Sequence, residues 1–193
     1  MADERYYFDI FELQRELVQA RFHSEFFELQ QQFRLRSLKD LCGRLPAEGE
    51  IFFIETLKSF SAFTFIVYLL KQAGTISHLY IATYSTNERI IHALLHWHRK
   101  GVLGSIHLHM SETIKFRMPR VYERLQRLAD EGVLTLSFAW SHKKITCIDT
   151  PLGKYVVEGS GNYGENALEE QYVFLKSDKV YEFHVRPTDE VAG

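Results

Sequence analysis

Residues 141–176 read SHKKITCIDTPLGKYVVEGSGNYGENALEEQYVFLK, and the rest of the chain can be read outward from this stretch. His142–Asp149 and Lys154–Glu158 read as strands, with Pro151 and Gly153 between them, so two strands joined by a tight turn are predicted. A third strand is predicted over Glu169–Lys176. Side chains alternate across a strand, which puts His142 and Lys144 on one face and Lys143 on the other. Ser160 and Asn162 share a parity at the end of the second strand. Antiparallel pairing through Thr150–Gly153 brings an imidazole, an ammonium, a hydroxyl and a carboxamide together. Such a set holds a nucleophile or base and several donors for phosphate oxygens, without a metal-ligand set. Gly159 and Gly161 allow close backbone approach beside them.

Upstream, strands alternate with helices from residue 50. Glu50–Thr56, His78–Tyr84, Gly104–Met110 and Val133–Trp140 read as strands. Helices are predicted over Ser59–Ala73, from a cap at Thr86 or Asn87 to about Lys100, and from Pro119 to near Gly132. Asp178–His184 reads as a short final helix. The expectation is an α/β fold: a mixed sheet flanked by helices on both faces. Residues 8–42 carry no Gly or Pro, and Phe22, Phe26, Leu29 and Phe33 recur at helical spacing. The predicted organisation is therefore a helical N-terminal extension, 1–46, ahead of a catalytic domain, 47–193.

The 193 residues carry 25% charged and 46% hydrophobic residues with a net charge of −2, which excludes a strongly basic domain but not a basic patch. Cys42 and Cys147 lack metal-type spacing. The polar, acidic start at Met1–Glu4 does not read as a signal peptide, and the longest apolar run, Phe60–Leu70, is too short to span a bilayer. A cytoplasmic protein without stable membrane association is expected.

His142, Lys144, Asp149, Gly159, Ser160 and Asn162 resemble the motif of the phospholipase D superfamily: His-x-Lys, four residues, Asp, then Gly-Ser-x-Asn. The Gly-Ser-x-Asn form is similar to the nuclease branch, and the stretch Glu158–Phe183 resembles small phospholipase-D-like proteins of phages and mobile elements. The resemblance implies that His142 attacks phosphorus to form a phosphohistidine. It also implies that Lys144 and Asn162 hold the non-bridging oxygens and that Ser160 supports that pocket. Asp149, of opposite parity to His142, is expected to shape the turn. Glu170 is the first choice for the carboxylate that orients the imidazole, with Glu169 the alternative. No metal and no cofactor are implied. Relatives place two such motifs face to face, yet this chain has one and no internal repeat. A C2 homodimer with a composite site is therefore expected.

The expected activity is that of a metal-independent phosphodiesterase, more a nuclease than a lipase, with DNA ahead of RNA as partner. The alternatives are a degenerate nucleic-acid-binding dimer and a phospholipid phosphodiesterase or phosphatidyltransferase. Arg120, Arg124 and Arg127 line one side of a helix and follow Lys115 and Arg117. They read either as a solvated face or as a track for the phosphate backbone. His92, His96, His98, His107 and His109 lack companion ligands for zinc and read as ordinary histidines. Trp97 and Trp140 read as packing residues, with Trp140, just ahead of His142, the better placed for function.

Overall fold

The computed structural model describes residues 29–57, 61–163 and 169–186. Eight strands form one mixed sheet: β1 (Leu29–Leu35), β2 (Glu50–Thr56), β3 (Ile76–Thr83), β4 (Leu103–Ser111), β5 (Thr135–Ala139), β6 (Ile145–Thr150), β7 (Gly153–Gly159) and β8 (Gln171–Lys176). Their spatial order is β1-β2-β8-β7-β6-β3-β4-β5. The outer pairs β1/β2, β3/β4 and β4/β5 are parallel, whereas β8, β7 and β6 form the antiparallel centre.

The helices are α1 (Phe63–Ala73), α2 (Glu88–Arg99), α3 (Ile114–Arg117), α4 (Pro119–Asp130) and α5 (Asp178–Val185). Local chemistry sets their starts. Asn87 accepts a hydrogen bond from the Ile90 amide, Ser177 accepts one from the Val180 amide, and Pro119 occupies the first turn of α4. Phe65, Ile66 and Leu69 of α1, Ile91 and Leu94 of α2 and Leu125 of α4 bury their apolar stripes. They pack on one face of the sheet against Leu79, Ile81, Ile106 and Met110. On the opposite face, α5 covers a smaller cluster in which Tyr181 packs with Tyr80, Ile145, Cys147 and Val156.

The helix expected over 8–42 is corrected where the chain is described. Residues 29–35 form an edge strand paired in parallel with β2, and Leu38–Leu41 is a single 3-10 turn capped by Ser37. The spacing of Leu29 and Phe33 fits a helix, but pairing with β2 satisfies a whole row of backbone groups and overrides it. Leu35, Leu38 and Leu41 then enter the main core. Residues 8–28, with Phe22 and Phe26, lie outside the described residues.

Three histidines sit half-buried on the α5 side of the sheet. His78 hydrogen-bonds the Tyr181 hydroxyl, and His107 and His109 both meet the Ser137 hydroxyl, at 2.9 and 3.0 Å. Burial lowers the pKa of all three. His109 and His78 add repulsion at His107, and Lys143 does so at His109, while Asp149 partly offsets the effect at His78. All three are thus held neutral, and the unfolded chain takes up protons first as pH falls. Their contribution to stability is complete above about pH 6.5 and is lost progressively below it. The midpoint of thermal unfolding should fall between pH 7.5 and 5.5, and less steeply in His107→Gln. A midpoint that holds or rises over that interval would contradict this account.

Candidate active site

With β2 pointing up, the C-terminal ends of β2, β3, β4, β5 and β7 and the entrances to β6 and β8 meet at one edge of the sheet. The motif residues lie at this edge, where loops outside carboxyl strand ends commonly build sites.

His142 and Lys144 precede β6 instead of lying within it, because that strand begins at Ile145. They still meet: the Lys144 Nζ donates to His142 Nδ1 at 2.9 Å and to the His142 carbonyl at 3.0 Å. Burial lowers the Lys144 pKa from the ordinary lysine range, with Glu170 and Tyr84 acting in the opposite direction. Lysine has donors only, so Nδ1 accepts and the neutral imidazole carries its hydrogen on Nε2.

Ser160 follows β7. Its hydroxyl donates to the Glu170 carboxylate and accepts from the Gln171 amide at 3.1 Å. Glu170 is itself anchored to the end of β2, because its amide donates to Thr56 Oγ1 at 2.8 Å and its carbonyl accepts from the Thr56 amide and hydroxyl. Thus β7, β8 and β2 fix the serine–glutamate pair, and Glu170 acts electrostatically on Lys144. The Nδ1 contact belongs to Lys144, and Glu170 is joined to the Ser160 hydroxyl. Glu169 is exposed.

Asn162 is half-buried, and its Oδ1 is buried with no hydrogen-bond partner among the described residues. Bonding capacity left unused in this way is uncommon away from binding sites. Next to it Tyr163 is fully buried and bonds Thr146 of β6, which pins the loop after β7 to the core. The two glycines are explained by Tyr172. A Cβ on Gly159 or Gly161 would collide with its ring or hydroxyl, so glycine lets the backbone lie on that ring and present Ser160 outward.

Asp149 lies on the other side of the sheet. It pairs with Lys154 in the β6–β7 hairpin and opposite His78 in β3, five residues and about 16 Å of strand beyond Lys144. This agrees with its parity and separates it from the His142–Lys144 and Ser160–Glu170 pairs.

Tyr84 stands beside the imidazole and Arg117 stands over Tyr84. The Tyr84 ring lies 4.8 Å from that of His142 between centroids, and the Arg117 guanidinium lies 5.5 Å from the centre of the Tyr84 ring. Neither has a motif, and only the topology, which joins the ends of β3 and β4 to the entrance of β6, brings them there. Lys115 lies over Phe138, 5.0 Å from its ring centre. In α4, Arg124 pairs with Glu88 at 2.6 Å and contacts His92 at 3.1 Å, which ties α4 to α2. Arg120 and Arg127 are exposed. The helix runs away from the site edge, so Arg127 lies about 10 Å further along it than Arg120. Among the described residues no group of three or more His, Cys, Asp and Glu side chains comes within reach of a common metal ion.

An α/β sheet that gathers a histidine–lysine pair, a serine–glutamate pair and an amide at its C-terminal edge defines a phosphoryl-handling class of site. Residues 66–183, more than half of the chain, match the family model described as cardiolipin synthase, PLD-like domain, and the chain belongs to this phospholipase-D-like family. No curated protein matches the sequence. Among solved structures, the polyphosphate kinase of Porphyromonas gingivalis is similar in fold, with a TM-score of 0.51 and 16% identity over 69% of this chain and 24% of that one. The phosphatidylserine synthase of Haemophilus influenzae Rd KW20 gives 0.44 and 12% over 69% and 36%, and the archaeal chromatin protein TrmBL2 gives 0.43 and 14% over 91% and 55%. The chain thus spans about a quarter of the first of these and about a third of the second. Family membership associates it with phosphodiester processing in general. No helix among the described residues is long and apolar enough to cross a membrane.

Proposed function

We propose that the chain is a metal-independent phosphodiesterase, an endonuclease in particular, that works as a homodimer with one composite site. The observation that carries this reading is the Lys144–His142 contact beside the Ser160–Glu170 pair on a single edge of the sheet. A diester phosphate entering there meets the Lys144 ammonium and the Asn162 amide, which hold its non-bridging oxygens. As Lys144 moves from Nδ1 to the phosphate, Nδ1 is released to carry the ring hydrogen and Nε2 gains the lone pair that attack requires. Glu170, already acting on Lys144, is the carboxylate in the cluster able to receive the Nδ1 hydrogen bond.

The Nε2–P bond forms as the P–O bond to the leaving group breaks, and His142 of the second copy supplies the proton that this oxygen takes up. Water then displaces the phosphohistidine with the second histidine as base, which restores both rings. Arg120, Arg127 and Lys115 are the substrate-binding cations left for the strand, because Arg124 is engaged with Glu88.

Negative charge on the phosphate is offset by Lys144 and Asn162 from two chains, so cleavage should be unchanged by EDTA. The assay incubates protein with plasmid, oligonucleotides and phospholipid vesicles, each with and without chelator. Chelation that abolishes cleavage, with recovery on adding magnesium, contradicts the mechanism. Turnover of vesicles alone makes the chain a lipid enzyme, and retention of nucleic acid without turnover makes it a binding dimer.

A further inference from the structure

Trp97 and Trp140 part company in the fold. Trp97 packs as expected, stacked on Phe63 with ring centroids 5.3 Å apart and planes within 4°. Trp140 does not pack; it is 77% exposed, and Phe116 is 78% exposed. Large aromatic rings left in water are costly and commonly mark a contact surface.

Both rings lie at the same end of the sheet as His142. The Glu112 amide bonds the Ala139 carbonyl at 3.0 Å, which joins the exit of β4 to the exit of β5. Just beyond, α3 carries Lys115, Phe116 and Arg117, and Trp140 stands two residues ahead of His142. Contacts close a circuit between them: Lys115 over Phe138, Arg117 over Tyr84, and Tyr84 against His142. Lys115 and Arg117 have no carboxylate partner among the described residues.

We infer that this rim binds single-stranded nucleic acid: Trp140 and Phe116 stack on unpaired bases, while Arg117 and Lys115 take the phosphates that flank the one held at His142. The inference rests on the phosphodiesterase reading and assigns its substrate class. Three features favour this occupant. Cation and ring alternate along Lys115-Phe116-Arg117, as phosphate and base alternate along a strand. Base–aromatic stacking combined with a cationic track is the general mode of single-strand binding. A duplex keeps its bases stacked on one another and offers such rings no face.

The two tryptophans make binding directly readable, because only Trp140 is exposed to a base. Titrating the full chain with a 12-nucleotide single-stranded oligothymidylate should quench tryptophan fluorescence, while the duplex of equal length quenches less. Trp97→Phe should keep the quench and Trp140→Phe should lose it while retaining most of the affinity. Trp140→Ala and Phe116→Ala should each weaken single-strand binding by between about five- and about a hundred-fold. Equal affinity for duplex and single strand, or an unchanged affinity in Trp140→Ala, overturns the inference. So does quenching by anionic vesicles alone, which makes the rim a lipid contact. Sedimentation of the variants completes the test, because a Trp140→Ala chain that becomes monomeric places the ring between copies instead. Hydrolysis of a small activated diester by the wild-type chain is measured in parallel. Hydrolysis together with oligonucleotide binding indifferent to Trp140 removes the rim inference alone. Single-strand binding through Trp140 with neither substrate cleaved removes the phosphodiesterase reading alone.

Discussion

His142→Ala is expected to remain folded and dimeric and to lose at least about four orders of magnitude in phosphodiester cleavage, the scale seen when a nucleophile is removed from an intact site. The side chain is exposed and lies ahead of β6, so truncating it empties no core. Among the described residues its ring meets Lys144 and Tyr84. The chemical loss is double, because the homodimer lacks both the atom that attacks phosphorus and the acid that protonates the leaving oxygen. Thermal unfolding and sedimentation check the fold and the dimer, and cleavage of an oligonucleotide checks the rate. A residual rate within tenfold of wild type would remove His142 from the mechanism.

Lys144→Met has the next largest expected effect. Lys144 is the cation in contact with His142, and a donor aimed at charge developing on a phosphate oxygen is worth about 10²–10³ in rate. Methionine keeps the stem and discards the charge, so the loss should appear mainly in kcat. The pH profile adds a test of sign. Burial lowers the Lys144 pKa, so the ammonium is lost, and activity with it, below the ordinary lysine value of about 10.4. The alkaline limb of the wild-type profile should therefore lie under that value, and Lys144→Arg should move it upward, since guanidinium does not deprotonate there. A Lys144→Met enzyme with unchanged kcat, or an alkaline limb unmoved in Lys144→Arg, would contradict the assignment.

The sheet and most helices were legible because local and global signals agreed. Asn87 and Pro119 announce helix starts, and the apolar runs on either side of Pro151 and Leu152 are the strands Ile145–Thr150 and Gly153–Gly159 that pair. The parity argument brings His142 and Lys144 together for an incomplete reason, since both precede the strand and a direct hydrogen bond joins them.

The misreadings have physical causes. Residues 29–35 include three glutamines and show no strand alternation, so nothing local reveals their parallel pairing with β2 across the intervening residues. Trp140 reads as a packing residue because a large ring usually packs, but β5 ends one residue earlier and leaves the ring outside. The contact of Tyr84 with His142, and of Arg117 with Tyr84, could not be anticipated, because both depend on the order of three strands in space. Glu170 was chosen by its type and its place near the motif, and both choices bring it to the cluster. Its pairing with Ser160 depends on how the entrance of β8 is anchored to Thr56, a contact between residues 114 positions apart.

The composite site is the central claim, and a mixed dimer tests it most directly. Differently tagged wild-type and His142→Ala chains are co-expressed, the heterodimer is isolated, and its rate is compared with that of the wild-type dimer. Each cleavage requires one His142 as nucleophile and the other as acid, so the mixed dimer should be nearly inactive on an unactivated oligonucleotide. On a nitrophenyl phosphodiester, whose leaving group needs little protonation, it should still give a burst as phosphohistidine accumulates on the intact chain. A mixed dimer that cleaves the oligonucleotide at half the wild-type rate would mean that each chain carries a complete site, and the composite-site account would be wrong.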